Sequence, residues 1–222
     1  MNSKYASLLF AGSLGLSLAS GCQNPAKDKP TAEVAEAVKP STQVAATGTA
    51  AQADAAPVTY LITPADSKIS FVGAKVTRKH DGSFGAFTGT VRVPNGNVEQ
   101  GSVTAEADVA SMTSDDPKLT GHLKSPDFFD AEKFPKVRFT STGIQAGGAA
   151  GATHTITGNL EMKGVAKSVR FPATVQLAPD GIKVNAEFGI NRKDWGIVYP
   201  GMPDDLIRDE VLIRLAINAK KG

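Results

Sequence analysis

The stretch "GIKVNAEFGI", residues 181–190, alternates without a break. Ile182, Val184, Ala186, Phe188 and Ile190 share one face, while Lys183, Asn185 and Glu187 share the other. A period of two describes a strand with one buried and one wet face, the habit of antiparallel sheets. The same pattern returns in "GSVTAEADVA" (101–110), "SVRFPATVQL" (168–177) and "EVLIRLAINA" (210–219). The chain is therefore read as all-β over most of its length.

Working outward from these runs, strands are predicted at 58–63, 67–77, 84–93, 101–110, 136–143, 154–162, 166–178, 181–190 and 209–219. Turn chemistry separates them at Asp81-Gly82, Asn95-Gly96, Lys163-Gly164 and Pro179-Asp180-Gly181, where Gly supplies the positive φ of tight hairpins. Eight or nine strands at this spacing suggest up-and-down pairing and favour a barrel, although alternation by itself also fits a sandwich. One interruption reads as helical. In "MTSDDPKLTGHLKSPDFFDAEKFP" Ser114 is placed as the cap of a helix whose first turn holds Asp115, Asp116 and Pro117. A second turn starts at Ser125-Pro126-Asp127 and stops at Phe134-Pro135. A short helix near 115–131 could close one end of a barrel.

The first quarter has another character. Lys4, an apolar run from Leu8 to Leu18 and the small residues Ala19, Ser20 and Gly21 describe a secretory leader, too short to span a bilayer. Leu18-Ala19-Ser20-Gly21-Cys22 resembles the lipobox of bacterial lipoproteins, which implies that residues 1–21 are a lipoprotein signal peptide removed ahead of an acylated Cys22. The anchored protein would then face the periplasm. Gln23, where Asp would favour inner-membrane retention, points to the outer membrane. Cys22 is the only cysteine of the 222 residues, so no disulfide or thiolate metal site is available. Residues 22–57 are rich in Ala, Pro and Thr and read as the lipidated Cys followed by a disordered tether. The alternative there is a short helix around "TAEVAEAVK". Residues 58–222 form one domain, which holds the only Trp and every Phe but Phe10.

Sequence chemistry points away from catalysis. The net charge is +2, with acidic and basic residues interspersed, which disfavours a nucleic-acid partner. His80, His122 and His154 show no metal-ligand spacing. No nucleophile elbow or phosphate loop occurs. The expectation is no enzyme, no cofactor and no metal.

"GHLKSPDFFDAEKFPKVRFTSTGI", "ITGNLEMKGVAKSVRFPATVQL" and "INRKDWGIVYPGMPDDLIRDEVLIRLAINA" together resemble the YceI-like family of bacterial exported proteins, over essentially all of 58–219. The resemblance implies a lipocalin-like antiparallel barrel that binds a polyisoprenoid lipid, of quinone or prenyl-phosphate type, in its lumen. The small residues Gly73, Ala105, Ala107, Gly158, Ala173 and Ala186 on the apolar faces are consistent with internal space, unless Phe and Met from opposite strands fill it. Candidate lumen residues are Phe71, Phe139, Leu160, Met162, Phe171, Ala186, Phe188 and Ile190. In "NRKDWGIVYPGMPDD" two placements stay open. Either Trp195 and Tyr199 stand at the mouth with Arg192 or Lys193 near an anionic or polar ligand head, or the loop folds down, with Arg192 paired to Asp194 or a carbonyl and Trp195 plugging the barrel.

The leading expectation is a non-enzymatic carrier, tethered to the membrane through acylated Cys22. The rival is a structural lipoprotein with a filled barrel that binds an envelope partner through its loops. Whether two copies pair as a homodimer is left open by the sequence.

Overall fold

The computed structural model describes residues 24–38 and 56–222. Cys22 and the leader 1–21 lie outside the described residues. The elements are β1 (Glu33–Glu36), β2 (Val58–Ile62), β3 (Lys68–Ala74), β4 (Lys79–Phe84), β5 (Phe87–Val93), β6 (Ser102–Asp108), β7 (Met112–Ser114), α1 (Pro117–Lys124), β8 (Lys136–Ala146), β9 (His154–Met162), β10 (Val165–Ala178), β11 (Gly181–Asn191), β12 (Gly201–Met202), β13 (Asp205–Leu206) and β14 (Glu210–Lys221).

Neighbours in sequence pair antiparallel all the way round. β2 with β3, β4 with β5 and β6 with β7 are each one stave broken by a bend. With β8, β9, β10, β11 and β14 they make an eight-staved wall. It closes where β14 pairs β11 along one edge, from Gly181↔Lys220 to Asn191↔Glu210, and β3 and β2 along the other. The sequence expectation of a barrel thus holds, and closure excludes the sandwich. The bends at 85–86 and 109–111 are locked together by Ser111. Its hydroxyl accepts from the Ala86 N–H at 2.9 Å, and its carbonyl accepts from the Gly85 N–H at 3.1 Å.

The two ends differ in their connections. At the far end the links are 94–101, 147–153 and the tight Pro179-Asp180 between the paired Ala178 and Gly181. Tyr60, Val93, Ile182 and Ala219 pack that end, each no more than 5% exposed. At the other end, the mouth, stand α1 and the long link 192–209, which carries the β12–β13 hairpin. The tight turn Lys163-Gly164 also lies at the mouth and takes positive φ at both residues, 49° and 74°.

Three local expectations are corrected. Asp81-Gly82 is not a turn but the middle of β4, paired with Val72 and Phe71, and the chain reverses at 75–78 instead. Gly82 is small for another reason. A Cβ there would lie 2.3 Å from Phe71 Cζ, so the glycine makes room for that ring. The helix cap is Asp116 rather than Ser114. Its Oδ1 accepts from the Lys118 and Leu119 N–H groups at 2.8 and 3.3 Å, which holds its carboxyl below the usual range, Leu119 contributing most. The helix also ends at Lys124, short of the predicted 131, and turns fill the remainder.

The tether is corrected as well. Residues 24–38 are neither a free spacer nor a helix but pack on the barrel. β10 and β11 pair only from Thr174↔Asn185 to the far end. Above that point the two staves part, and residues 30–36 enter between them. β1 pairs β10 from Glu33↔Arg170 to Glu36↔Lys167. On the other side the Ala32 N–H donates to the Gly189 carbonyl at 2.9 Å, and the Gly189 N–H donates to the Pro30 carbonyl at 2.8 Å. Ala32 and Val34 join the interior core, Glu33 faces outward to Arg170, and Glu36, exposed at the end of the strand, pairs with Lys167. The unsatisfied edges of two diverging strands explain why this polar segment orders: it completes the ladder. Residues 39–55 of the expected tether lie outside the described residues.

Candidate functional site

Inward-facing positions of the staves enclose a cavity of about 550 Å³, within the range of small-molecule sites. Its deep wall is hydrocarbon, with Ile62, Val91, Val103, Ile156, Ile213, Leu215 and Ile217 among its residues. Phe139, Phe171 and Phe188 form one aromatic strip, Phe171 and Phe188 stacked with centroids 4.2 Å apart and Phe139 at 6.0 Å from Phe171. Toward the mouth Phe71, Phe84 and Phe129 continue the lining, with successive centroids 6.1 and 6.5 Å apart.

Polar groups gather only near the mouth end, and they come with partners. His80 Nδ1 lies 2.9 Å from Asp115 Oδ1, and His122 Nε2 lies 2.9 Å from Asp127 Oδ2. Lys75 Nζ is 2.7 Å from Asp205 Oδ2. His122, Phe128 and Tyr199 form a cluster of three rings, with His122 4.9 Å from each of the others. Among the described residues no group of three or more His, Cys, Asp or Glu is placed to hold a metal ion.

The sequence candidates divide. Phe71, Phe139, Leu160, Met162, Phe171, Phe188, Ile190 and Tyr199 all line the cavity. Ala186 does not; it is buried in the wall packing beside Val184 and Phe188. Trp195 folds down and is fully buried, its Nε1–H donating to the Leu160 carbonyl at 2.9 Å. Arg192 touches the cavity wall, but its guanidinium is spent on structure. It donates to the Ile197 carbonyl at 2.6 Å, the Arg208 carbonyl at 3.2 Å and Asp209 Oδ1 at 3.1 Å. Asp209, not Asp194, is its acidic partner. Burial draws this guanidinium below the usual arginine range, and the Asp209 carboxylate opposes that shift. The loop thus takes the folded-down alternative at Arg192 and Trp195 and the mouth alternative at Tyr199.

The sequence model of the YceI-like domain matches residues 60–219. The chain belongs to the YceI-like domain family. A UPF0312 protein of Pseudomonas putida (strain GB-1) is 31% identical over 142 residues, 61% of this chain and 71% of its own. BcnA of Burkholderia cenocepacia superposes with a TM-score of 0.63 at 28% identity, over 72% of this chain and 99% of that one. A domain from Saccharophagus degradans described as polyisoprenoid-binding and implicated in plant cell wall breakdown gives 0.59 at 15% identity, over 75% and 99%. That last likeness speaks for the fold alone, a lipocalin-like barrel.

Outside the YceI-like match the sequence reading missed Pro30, Ala32 and Val34, which close the wall beside the cavity. A partial signal existed in "TAEVAE", where Ala32 and Val34 flank Glu33 in a short alternation. The mouth residues Leu119, His122 and Met202 were also missed, because only the folded links bring them to the opening.

Proposed function

We propose that this YceI-like barrel is a non-enzymatic carrier or reservoir for a polyisoprenoid lipid in the bacterial cell envelope. The observation that carries the reading is the hydrocarbon cavity with its polar groups confined to the mouth end. A long apolar chain fits the deep part by burial, at about 25 cal/mol per Å² of apolar surface less ordering costs. A structural neighbour described as polyisoprenoid-binding supports the same ligand class.

The mouth favours an uncharged head, such as a quinone, over a prenyl phosphate. Lys75 is committed to Asp205, Arg192 to Asp209, and the two histidines to Asp115 and Asp127. A phosphate would meet paired cations and adjacent carboxylates. Acylation of Cys22 would supply the two or more chains that stable anchoring needs, and Gln23 supports the outer membrane.

Extraction of the purified protein and mass analysis of what co-purifies tests the reading. A polyisoprenoid with a neutral head is the expected result. A bound phosphate ester would overturn the head-group assignment, and no lipid together with no uptake of added ubiquinone would overturn the carrier.

A further inference from the structure

Of the seven large apolar side chains that stand exposed among the described residues, four gather on the loops at the mouth: Val76 at 50%, Val198 at 61%, Met202 at 60% and Leu206 at 50% exposure. Val76, Met202 and Leu206 share one surface, and Val198 stands on the same 192–209 link. The Val76 N–H donates to the Leu206 carbonyl at 3.2 Å, and Lys75 bridges Ile207, which joins the 75–78 loop to the β12–β13 hairpin. Met202 belongs to this surface and to the cavity wall at once, so the apolar lining runs out onto the lip. Contiguous exposed apolar surface of this kind marks an interaction site.

The chain's own anchor candidate selects the partner. Asn24 donates from its side chain to Glu210, the first residue of β14 and therefore at the mouth end. Cys22 precedes Asn24 by two residues, a reach of at most about 7 Å. An acyl group on Cys22 would enter a bilayer beside the mouth. We infer that the mouth end lies against a phospholipid bilayer, with Val76, Val198, Met202 and Leu206 in its interfacial layer. A lipid then passes between bilayer and cavity without crossing water. The inference rests on the lipid-carrier reading above. Charges on the two loops nearly cancel, Lys75, Arg78 and Lys79 against Asp204 and Asp205, so docking is by apolar insertion and tolerates salt.

The test uses the full chain reconstituted into phosphatidylcholine vesicles carrying bromine-labelled acyl chains, with Met202→Trp and Asp180→Trp as probes at opposite ends. The wild-type chain supplies the baseline from buried Trp195. Expected is at least twofold quenching of the added Met202→Trp signal, unchanged by raised salt, with none for Asp180→Trp. Equal quenching of both probes, or of neither, overturns the docked orientation. Quenching that vanishes in high salt overturns apolar insertion. Intact mass of the same preparation reads acylation at Cys22, and extracted lipid reads the carrier, so each reading fails on its own measurement.

Discussion

Gly73 on β3 and Gly158 on β9 sit at positions whose neighbours in alternation, Phe71 and Leu160, face the interior, yet the space beside them differs. A Cβ built on Gly73 meets nothing within 4 Å, and the residue lines the cavity. A Cβ on Gly158 would lie 2.4 Å from Phe139 Cζ and 2.6 Å from the Thr140 carbonyl oxygen. One glycine borders open volume, and the other is roofed by a ring from the adjacent stave. Small residues in a strand therefore do not by themselves signal a hollow. What decides is whether a neighbouring side chain leans across them.

The largest effect expected from this contrast is at the roofed site. Gly158→Leu must displace both a ring and a ladder carbonyl, so a loss of about 3 kcal/mol, the top of the usual overpacking range, is expected in the denaturant midpoint. A loss below about 1 kcal/mol would show that Phe139 swings away freely. Ala186→Phe comes next. Ala186 is buried in the wall packing and does not reach the cavity, so a cost of about 1–2 kcal/mol is expected, with co-purifying lipid retained. Loss of lipid without loss of stability would place Ala186 in the lumen after all. Gly73→Leu should change stability by less than about 1 kcal/mol, because its side chain enters open volume, while lipid content by mass analysis falls by more than half.

The seam between β10 and β11 is a third case, where another piece of chain fills the gap. Lys29 pairs with Glu187 there and is the main cause of a Glu187 carboxyl held below its ordinary 4.5. A depressed carboxyl stabilises fully above its unfolded value and loses that contribution as pH falls through the folded one. The pair is partly exposed, so the effect is the smallest here, at most about 1 kcal/mol. Hydrogen exchange at Glu33–Glu36 should quicken below pH 4.5 relative to the β8–β9 ladder. Equal acceleration in both would assign it to the whole barrel.

Strands β11 and β14 were legible because each turns one face to the interior and most of the other to water; Leu212 is the exception, buried on the outer side against Val72 and Ala26. β4 was not. "HDG" carries the chemistry of a hairpin, and only the Phe71 ring across the ladder explains its glycine. Gly158 misled for the same reason, since the Phe139 ring that leans across it is a tertiary fact. The fate of "DWG" needed the Leu160 carbonyl, which lies 35 residues away. The wall role of residues 30–36 was masked by a composition that, elsewhere, resists folding.

That segment sets the inherited unit and the folded unit out of step. The family match starts at residue 60, whereas the wall it describes borrows a stave from residues 30–36. The loan shapes the lender's neighbour: a Cβ on Gly189 would come within 3.2 Å of the Ala26 Cβ. A side chain at position 189 would require the segment at Ala26 to give way by a few tenths of an ångström. Replacing residues 24–38 would therefore change the wall itself. Gly189 is thus matched to the segment that lies over it.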